Sequence, residues 1–368
     1  MFSVIDRYIL RSLLANYLIA LGTMLSLYVV LDMFVNLDEF TEKGYSTTTV
    51  IQNVISYYRP NLFLYFAQLS GVIPLFAAMV TIARMRKLNE MTAILASGVS
   101  LYRVAAPIVI FGMVTTALLI VDTEWAIPSV AHQLARDHDD VGGQHTYQVL
   151  FLPDGDDKLL SAGSFHPLRE DLQDLLVLVR DKDGAVMETI EADHATWQPP
   201  DEMNARGRWV LERGVKTTRS RAAAGGIGPR ENKVVTQPTV YESELGPKAI
   251  QMRQSEGWIG FLSLRELSDL ERRGGASMNS IIRTKHSRRA GPIVSMVMLL
   301  LGLPFFLARS PGNVLTDAAK CVTATGLCYV LNIVAQSVRS EMASALPAWL
   351  PILIFGTIAV VLIDRIKT

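Results

Sequence analysis

Charge is scarce in this chain. Only 19% of its 368 residues are Asp, Glu, Lys or Arg, where a soluble domain averages about 25%. The shortage is local. Six uncharged runs stand out at 12–31, 60–83, 104–121, 290–308, 321–338 and 342–363, each 18 to 24 residues long. A bilayer core takes about 20 helical residues, so an ordinary soluble globule is excluded. An outer-membrane barrel is excluded as well, because its strands would be about 10 residues of alternating polarity. No acid or base lies inside any run, which argues against a carrier coupled to protons or ions.

Cysteine is scarcer still. Cys321 and Cys328 share one run and, at i, i+7 on a helix, stand about 10 Å apart, too far for a disulfide. The long polar stretch between the third and fourth runs has no cysteine, so its own core must stabilise it. Other signatures are missing too. No G-x-x-x-x-G-K-[ST] occurs, so the chain cannot hold a nucleotide through a P-loop. No G-x-S-x-G elbow occurs, which leaves Ser161, Ser164 and His166 without a hydrolase framework. There is no basic tail or block of the kind that binds nucleic acid, and no repeat of solenoid period.

What is present is a partition. The 35 basic and 35 acidic residues cancel, but 123–280 holds 18 basic and 25 acidic residues, while 281–289 is +4. The N-terminus MFSVIDRYILRSLL leads into an apolar run too long for a secretory signal and without a nearby small-residue cleavage site. It reads as a retained first helix. Six helices put both termini on one side. Arg7, Arg11, Arg84, Arg86, Lys87, Arg103, Arg309, Lys320, Arg365 and Lys367 mark that side, against Lys43, Arg59 and Arg339 on the other. The positive-inside rule makes the termini cytoplasmic and the connection after the third helix extracytoplasmic.

That connection reads as a β domain. Period-two or apolar runs recur at 146–152, 158–162, 175–180, 185–190, 209–211, 234–235 and 239–241. Pro153-Asp154-Gly155, Asp183-Gly184 and Pro199-Pro200-Asp201 punctuate them as turns. The tract 221–230 reads as a loop. Ser263-Leu264-Arg265-Glu266 is a capping box opening a short helix that ends at Gly274-Gly275.

The loop between the second and third helices, RMRKLNEMTAILASGVSLYR, is basic and then amphipathic. Leu88, Met91, Thr92 and Leu95 fall on one helical face. It reads either as a connector on the membrane surface or as a coupling helix, 84–100, docking into a soluble partner. Glu90, a lone carboxylate among bases, suits a charge pair with a protein better than an anionic membrane. Glu90-Met91-Thr92-Ala93-Ile94-Leu95-Ala96-Ser97-Gly98 resembles the LptF/LptG permeases, the membrane half of the lipopolysaccharide exporter. Asp6-Arg7-Tyr8-Ile9 looks like the LptG branch. Arg289-Ala290-Gly291-Pro292, Gly302-Leu303-Pro304-Phe305 and Leu346-Pro347-Ala348-Trp349-Leu350-Pro351 also look like that family, and the order of the motifs spans the chain.

The resemblance implies an α-helical inner-membrane protein with six transmembrane helices. An extracytoplasmic all-β, β-jellyroll-like domain would be inserted between helices 3 and 4. The domains would be 1–122, 123–280 and 281–368. It implies a transporter subunit rather than an enzyme, with no cofactor of its own, since ATP would be bound by a cytoplasmic ABC ATPase dimer. A second LptF/LptG-type permease, periplasmic bridge proteins and lipopolysaccharide or a similar lipid would be the other partners. Arg84, Arg86, Leu88, Glu90, Met91, Ala93, Ser97 and Gly98 would face the ATPase.

Two regions depart from the family. Asp32, followed by Asn36, Asp38, Glu39 and Glu42, is acidic where enteric exporters carry lysines for lipid phosphates. Asp32 either disfavours a phosphorylated lipid, by on the order of 1 kcal/mol per close pair, or marks a helix end. Lys285, Arg288 and Arg289 lie at i, i+3, i+4 and read either as snorkelling bases or as a collar for an anionic lipid. Asn332 and Gln336, i, i+4 on the fifth helix, read as cross-helix packing groups or lipid contacts. His132, His138, Asp139, Asp140 and His145 match no metal spacing. A membrane scaffold with a protein-binding β domain is the competing reading, and a headgroup enzyme the third.

Overall fold

The computed structural model describes residues 4–36, 47–135, 146–155, 157–181, 184–200, 207–220, 232–254, 257–273, 278–307, 313–337 and 345–364. Several expectations fall outside these residues: the acids Asp38, Glu39 and Glu42, the bases Lys43, Arg309, Arg339, Arg365 and Lys367, the turn residues Asp183 and Asp201, most of the histidine cluster (His138, Asp139, Asp140, His145), the tract 221–230 and Gly274-Gly275. Packing divides the chain into two compact units. One comprises Met1–Leu37, Tyr58–Ser129 and Ile259–Thr368; the other comprises Asp38–Tyr57 and Val130–Trp258.

The first unit is helical. Five of its helices are long and apolar enough to cross a membrane: α1 (Val4–Val35), α5 (Leu101–Val121), α9 (Met278–Phe306), α10 (Val314–Ser337) and α11 (Leu346–Asp364). A sixth candidate span is a broken pair, α2 (Thr47–Leu69), which belongs to this unit from Tyr58 on, and α3 (Val72–Lys87), bent by 63°. The continuous helix expected over 60–83 is thus corrected to two. Pro74 is the physical reason. It has no N–H to give to the Ser70 carbonyl four residues back, and its ring collides with that carbonyl. In the first turn of a new helix the missing N–H is harmless. Gly71 fits the break, because an added Cβ would lie 3.1 Å from Met298 Sδ and 3.3 Å from Ser295 Oγ.

The α9 helix is the hub, packing against α3, α5, α10 and α11. Two further glycines set its distance from its neighbours. A Cβ on Gly112 of α5 would lie 2.3 Å from Leu299 Cδ2, and one on Gly302 would lie 2.3 Å from Leu75 Cδ1. Around these contacts Ile9, Leu13, Ile73, Ile82, Val104 and Leu303 are buried. A second cluster joins Val294, Leu301, Cys328 and Phe355. Both cysteines are buried and unpaired. Asn16 of α1 donates to Thr81 of α3 at 2.8 Å, a cross-helix bond of the kind polar groups seek in hydrocarbon.

Between α5 and the β domain the chain makes a π turn, Asp122–Ala126, and α6 (Ile127–Leu134). The second unit is built on one antiparallel eight-stranded sheet. Its strands are β1 (Tyr147–Asp154), β2 (Lys158–His166), β3 (Asp171–Arg180), β4 (Val186–Gln198), β5 (Arg208–Glu212), β6 (Val215–Ser220), β7 (Asn232–Thr236) and β8 (Val240–Glu242). The sheet forks along β4: its end near Gln198 pairs with β5, which continues to β8, while Glu188–Glu191 pairs with β6 and then β7. The β6 segment, VKTTRS, has too little apolar content to read as a strand in sequence. Cross-strand charge holds it: Lys216 pairs with Glu188 at 2.8 Å.

Trp209 and Phe165 are fully buried in this core with Leu160, Leu172 and Val177, and Trp209 Nε1 donates to the Leu245 carbonyl at 3.0 Å. The path from β1 to β8 is closed by Asp154 at the end of β1. Its carboxylate accepts Tyr241 Oη at 2.6 Å, Ser243 Oγ at 2.6 Å and the Glu244 N–H at 2.9 Å. One buried acid at the end of β1 therefore holds the end of β8 and the residues that follow it. Burial, with the Asp154 charge beside it, pushes the Tyr241 hydroxyl well above its usual range. Two short helices follow the sheet: α7 (Pro247–Gln254) and, in the first unit, α8 (Leu264–Arg273). The expected capping box opens α8, with Ser263 N donating to Glu266 at 2.8 Å and Glu266 N to Ser263 Oγ at 3.3 Å.

Replacing Asp154 by Ala leaves two hydroxyls and one N–H without their acceptor. The expected cost is about 3 kcal/mol or more, with Asp154→Asn in between. Urea unfolding of the full chain in detergent, followed by tryptophan fluorescence, measures it; equal stability of Asp154→Ala and wild type would contradict the closure.

Candidate functional site

The α3–α5 connection lies at the end of the bundle that carries the start of α1. Its fold differs from one amphipathic helix. Asn89 adopts a left-handed conformation, φ 57°, which stops α3 and starts the short α4 (Glu90–Ala96) in a new direction. Leu88 is consequently exposed, apart from Met91, rather than on one face with it. Met91 is buried, and Ile94 and Leu95 pack against the same core as Ile9 and Met85. Thr92, Ala93, Ala96 and Ser97 are exposed, a platform of small side chains. Gly98, φ 85°, ends α4 in the left-handed conformation that glycine adopts without strain, and Ser97 Oγ donates to the Ile94 carbonyl at 2.7 Å.

Side chains from four helices brace this platform. Tyr8 of α1 donates to Glu90 Oε2 at 2.8 Å. Glu90 opens α4, where a carboxylate also meets the positive end of the helix dipole. Asp6, buried, pairs with Arg103 of α5 at 3.2 Å. Arg86, whose side chain is 5% exposed, pairs with Asp317 in the first turn of α10 at 2.8 Å. Arg86 and Met91 thus face inward, whereas Arg84, Leu88, Ala93, Ser97 and Gly98 face out and Glu90 is half-buried. Sequence reasoning did not single out Asp317 or Arg103 and noted Asp6 and Tyr8 only as part of a motif. One signal was available: Asp6 is in phase with the buried stripe Ile9, Leu13, Tyr17 and Ala20.

At the other end of α1, Asp32 accepts hydrogen bonds from Tyr58 at 2.9 Å and Tyr65 at 3.2 Å, both on α2. Tyr28 stacks on Tyr65 at 4.3 Å and donates to Gln68 at 3.0 Å. Asn36 Nδ2 bonds the Asp32 carbonyl at 2.9 Å and so caps α1. Asp32 therefore ties α1 to α2, a role beyond marking the helix end.

The basic cluster is not uniform. Lys285 donates to Glu271 of α8. Arg288, 9% exposed, donates to the carbonyls of Thr123 and Gly260 and lies 4.0 Å from Glu124, while Glu124 also accepts the Leu264 N–H at 2.9 Å. Arg289 is exposed. Two of the three bases thus join α9 to its own neighbours. Asn332 and Gln336 line a cleft of about 280 Å³ together with Gln68, Ser70, Ser295 and Arg288. The cleft opens at the α2–α3 break, where Ser70 Oγ and Ser295 Oγ are 3.4 Å apart.

Among the described residues no three His, Cys, Asp or Glu side chains are grouped as for a metal ion. In the β domain Asp171 lies 3.1 Å from His166 Nδ1 and 3.6 Å from His194 Nε2. Ser161 donates to the Val149 carbonyl and Ser164 to Gln173, so neither serine is aimed at a histidine.

Five apolar helices and a bent pair long enough to cross a membrane, a cleft among them, a braced exposed platform and an inserted β domain define a polytopic membrane transport subunit. The family model described as lipopolysaccharide export system permease LptF/LptG matches residues 7–365. The chain belongs to that family: it is a permease of the lipopolysaccharide export system, an inner-membrane transporter subunit and not itself an enzyme. No curated protein matches the chain.

Lys285 holds the Glu271 carboxyl below the usual carboxylate range through its hydrogen bond and charge. A depressed acid contributes stability above its unfolded pKa and loses it as pH falls through the folded one. Thermal melts of wild type and Glu271→Gln should therefore differ at neutral pH and converge in acid below the ordinary carboxylate range. Arg288→Ala should cost about 3 kcal/mol, because buried partners are left behind, and Arg289→Ala less than about 0.5 kcal/mol. Equal losses in the same melts would refute the division between them.

Proposed function

We propose that this permease is one half of an ATP-driven exporter that extracts a lipopolysaccharide-type lipid from the inner membrane and passes it to a periplasmic bridge. The single observation carrying this reading is the platform made by Asn89 and Gly98. It turns small side chains outward beside Glu90 while Met91 anchors it to the bundle. Small exposed residues let another protein approach closely, and an acid at the edge supplies a charge pair for a basic partner group. The partner is a cytoplasmic ABC ATPase dimer, which binds the ATP; this chain contributes no nucleotide site. A second LptF/LptG-type permease completes the lipid enclosure.

The basic edges favour, by the positive-inside rule, termini and platform in the cytoplasm and a periplasmic β domain. Nucleotide then acts by shifting populations. The ATPase must bind two arrangements of the spans with different energies, and about 5.5 kcal/mol of difference moves a two-state balance from 1:99 to 99:1. Lipid enters between the first and fifth spans. Closure drives it towards the β domain, and Arg289, the exposed member of the basic cluster, is the anion contact on the way. Asn332 and Gln336 contribute hydrogen bonds from the cleft.

Glu90→Lys reverses the charge at the platform. Co-purification with the ATPase should fall at least roughly tenfold, a loss of about 1.4 kcal/mol, and lipid release from spheroplasts should fall with it. Undiminished co-purification together with intact export would sink the docking reading.

A further inference from the structure

We infer that the platform drives two spans through two specific side-chain links: Tyr8–Glu90 to the first span and Arg86–Asp317 to the fifth. This rests on the docking reading above and assigns Arg86 to transmission within the chain rather than to contact with the ATPase. The two links differ in kind. Arg86 and Asp317 are 5% and 15% exposed and 2.8 Å apart. Separating a buried ion pair leaves two poorly solvated charges, so the end of α3 and the start of α10 move as one body. Asp317 is also held from its own side, since α10 begins there on Asn313, whose Oδ1 accepts the Leu315 N–H at 3.0 Å. Displacing the platform therefore carries the base of the fifth span with it.

The Tyr8–Glu90 bond is exposed and is weak while water competes for it. A protein docking on the platform excludes that water, and a hydrogen bond to a carboxylate strengthens as the local dielectric falls. This link therefore engages on docking. It joins the partner to α1, whose Ile9 and Leu13 share one core with Met91. Asp6–Arg103, with Arg103 about half exposed, is screened by solvent and acts as a stay between α1 and α5 rather than as a drive. One side of the lipid route is thus gripped when the ATPase docks, and the other is gripped permanently.

The test uses the full exporter in proteoliposomes loaded with purified lipopolysaccharide, reading lipid extracted per ATP hydrolysed. Arg86→Asp and Asp317→Arg singly should lower that ratio roughly fivefold or more, the lower end of typical coupling energies, with the ATPase still bound. Combining them should restore most of it. Tyr8→Phe, which keeps the ring and removes only the hydroxyl, should lower the ratio without changing ATPase recovery. Because the charge reversals threaten folding, spin labels at Lys87, the exposed last residue of α3, and Ala319 give a second reading in the otherwise native protein. Their separation should stay constant between nucleotide-free and vanadate-trapped states. Unchanged ratios in the single variants, no recovery in the double variant, or a nucleotide-dependent change in the Lys87–Ala319 distance would each overturn the inference. Loss of the ATPase from the wild-type chain would instead overturn the docking reading, and this inference with it.

Discussion

The membrane unit depends on how closely other helices can approach α9. In hydrocarbon there is no hydrophobic gain from bringing two apolar helices together, so cohesion comes from dispersion and a few hydrogen bonds. Dispersion falls off steeply with separation, and glycine sets the separation here. A Cβ on Gly112 or Gly302 would lie 2.3 Å from Leu299 or Leu75, and one on Gly71 would press on Met298 and Ser295. Two neighbours, α3 and α5, are thus drawn onto one helix. Towards its N-terminal end the same helix is fixed differently, by Arg288 reaching the carbonyl of Thr123 in the π turn. A wider helical turn shifts the backbone out of its regular hydrogen-bond ladder, which suits a carbonyl to an external donor. Contact in the apolar middle and charge at the rim are two solutions to one problem.

Much of this architecture was legible in the sequence, for a physical reason. Length and absence of charge are what a bilayer selects, so the uncharged runs located the crossings. The strands announced themselves where side chains alternate over a core, as around Trp209 and Leu175. Legibility failed where the determinant is a single backbone event. Pro74 belongs to an uncharged run and leaves its composition unchanged, yet it breaks the second span. Asn89 adopts a conformation that few residues tolerate, and helical periodicity read across it puts Leu88 on the wrong side. The β6 strand, VKTTRS, was hidden because charge pairs and sheet hydrogen bonds hold it rather than apolar burial.

The candidate site shows a second limit. The charged residues stand out in the sequence, but their partners lie far away in the chain. Asp317 is 231 positions from Arg86, and Arg288 bonds a carbonyl 165 positions back. A sequence displays a charge without displaying what neutralises it. Asp32 is the clearest case: an acid near the membrane surface that reads as hostile to anionic lipid serves as acceptor for Tyr58 and Tyr65. Glu90 differs because its bond from Tyr8 leaves it half-buried at the edge of an exposed platform.

The break at Pro74 also gives the protein two unequal heights. The α3 helix has 16 residues and rises about 24 Å, short of the roughly 30 Å of a hydrocarbon core. The shortfall is met by α2 at an angle of 63°. The α1 helix has 32 residues and rises about 48 Å, more than enough to cross. Bilayers adjust their thickness to the proteins they hold, at fractions of a kcal/mol per Å. The first crossing is one continuous rod, whereas the second is two segments with a joint at Gly71–Pro74 inside its uncharged run, so the two can answer the same push at their ends differently.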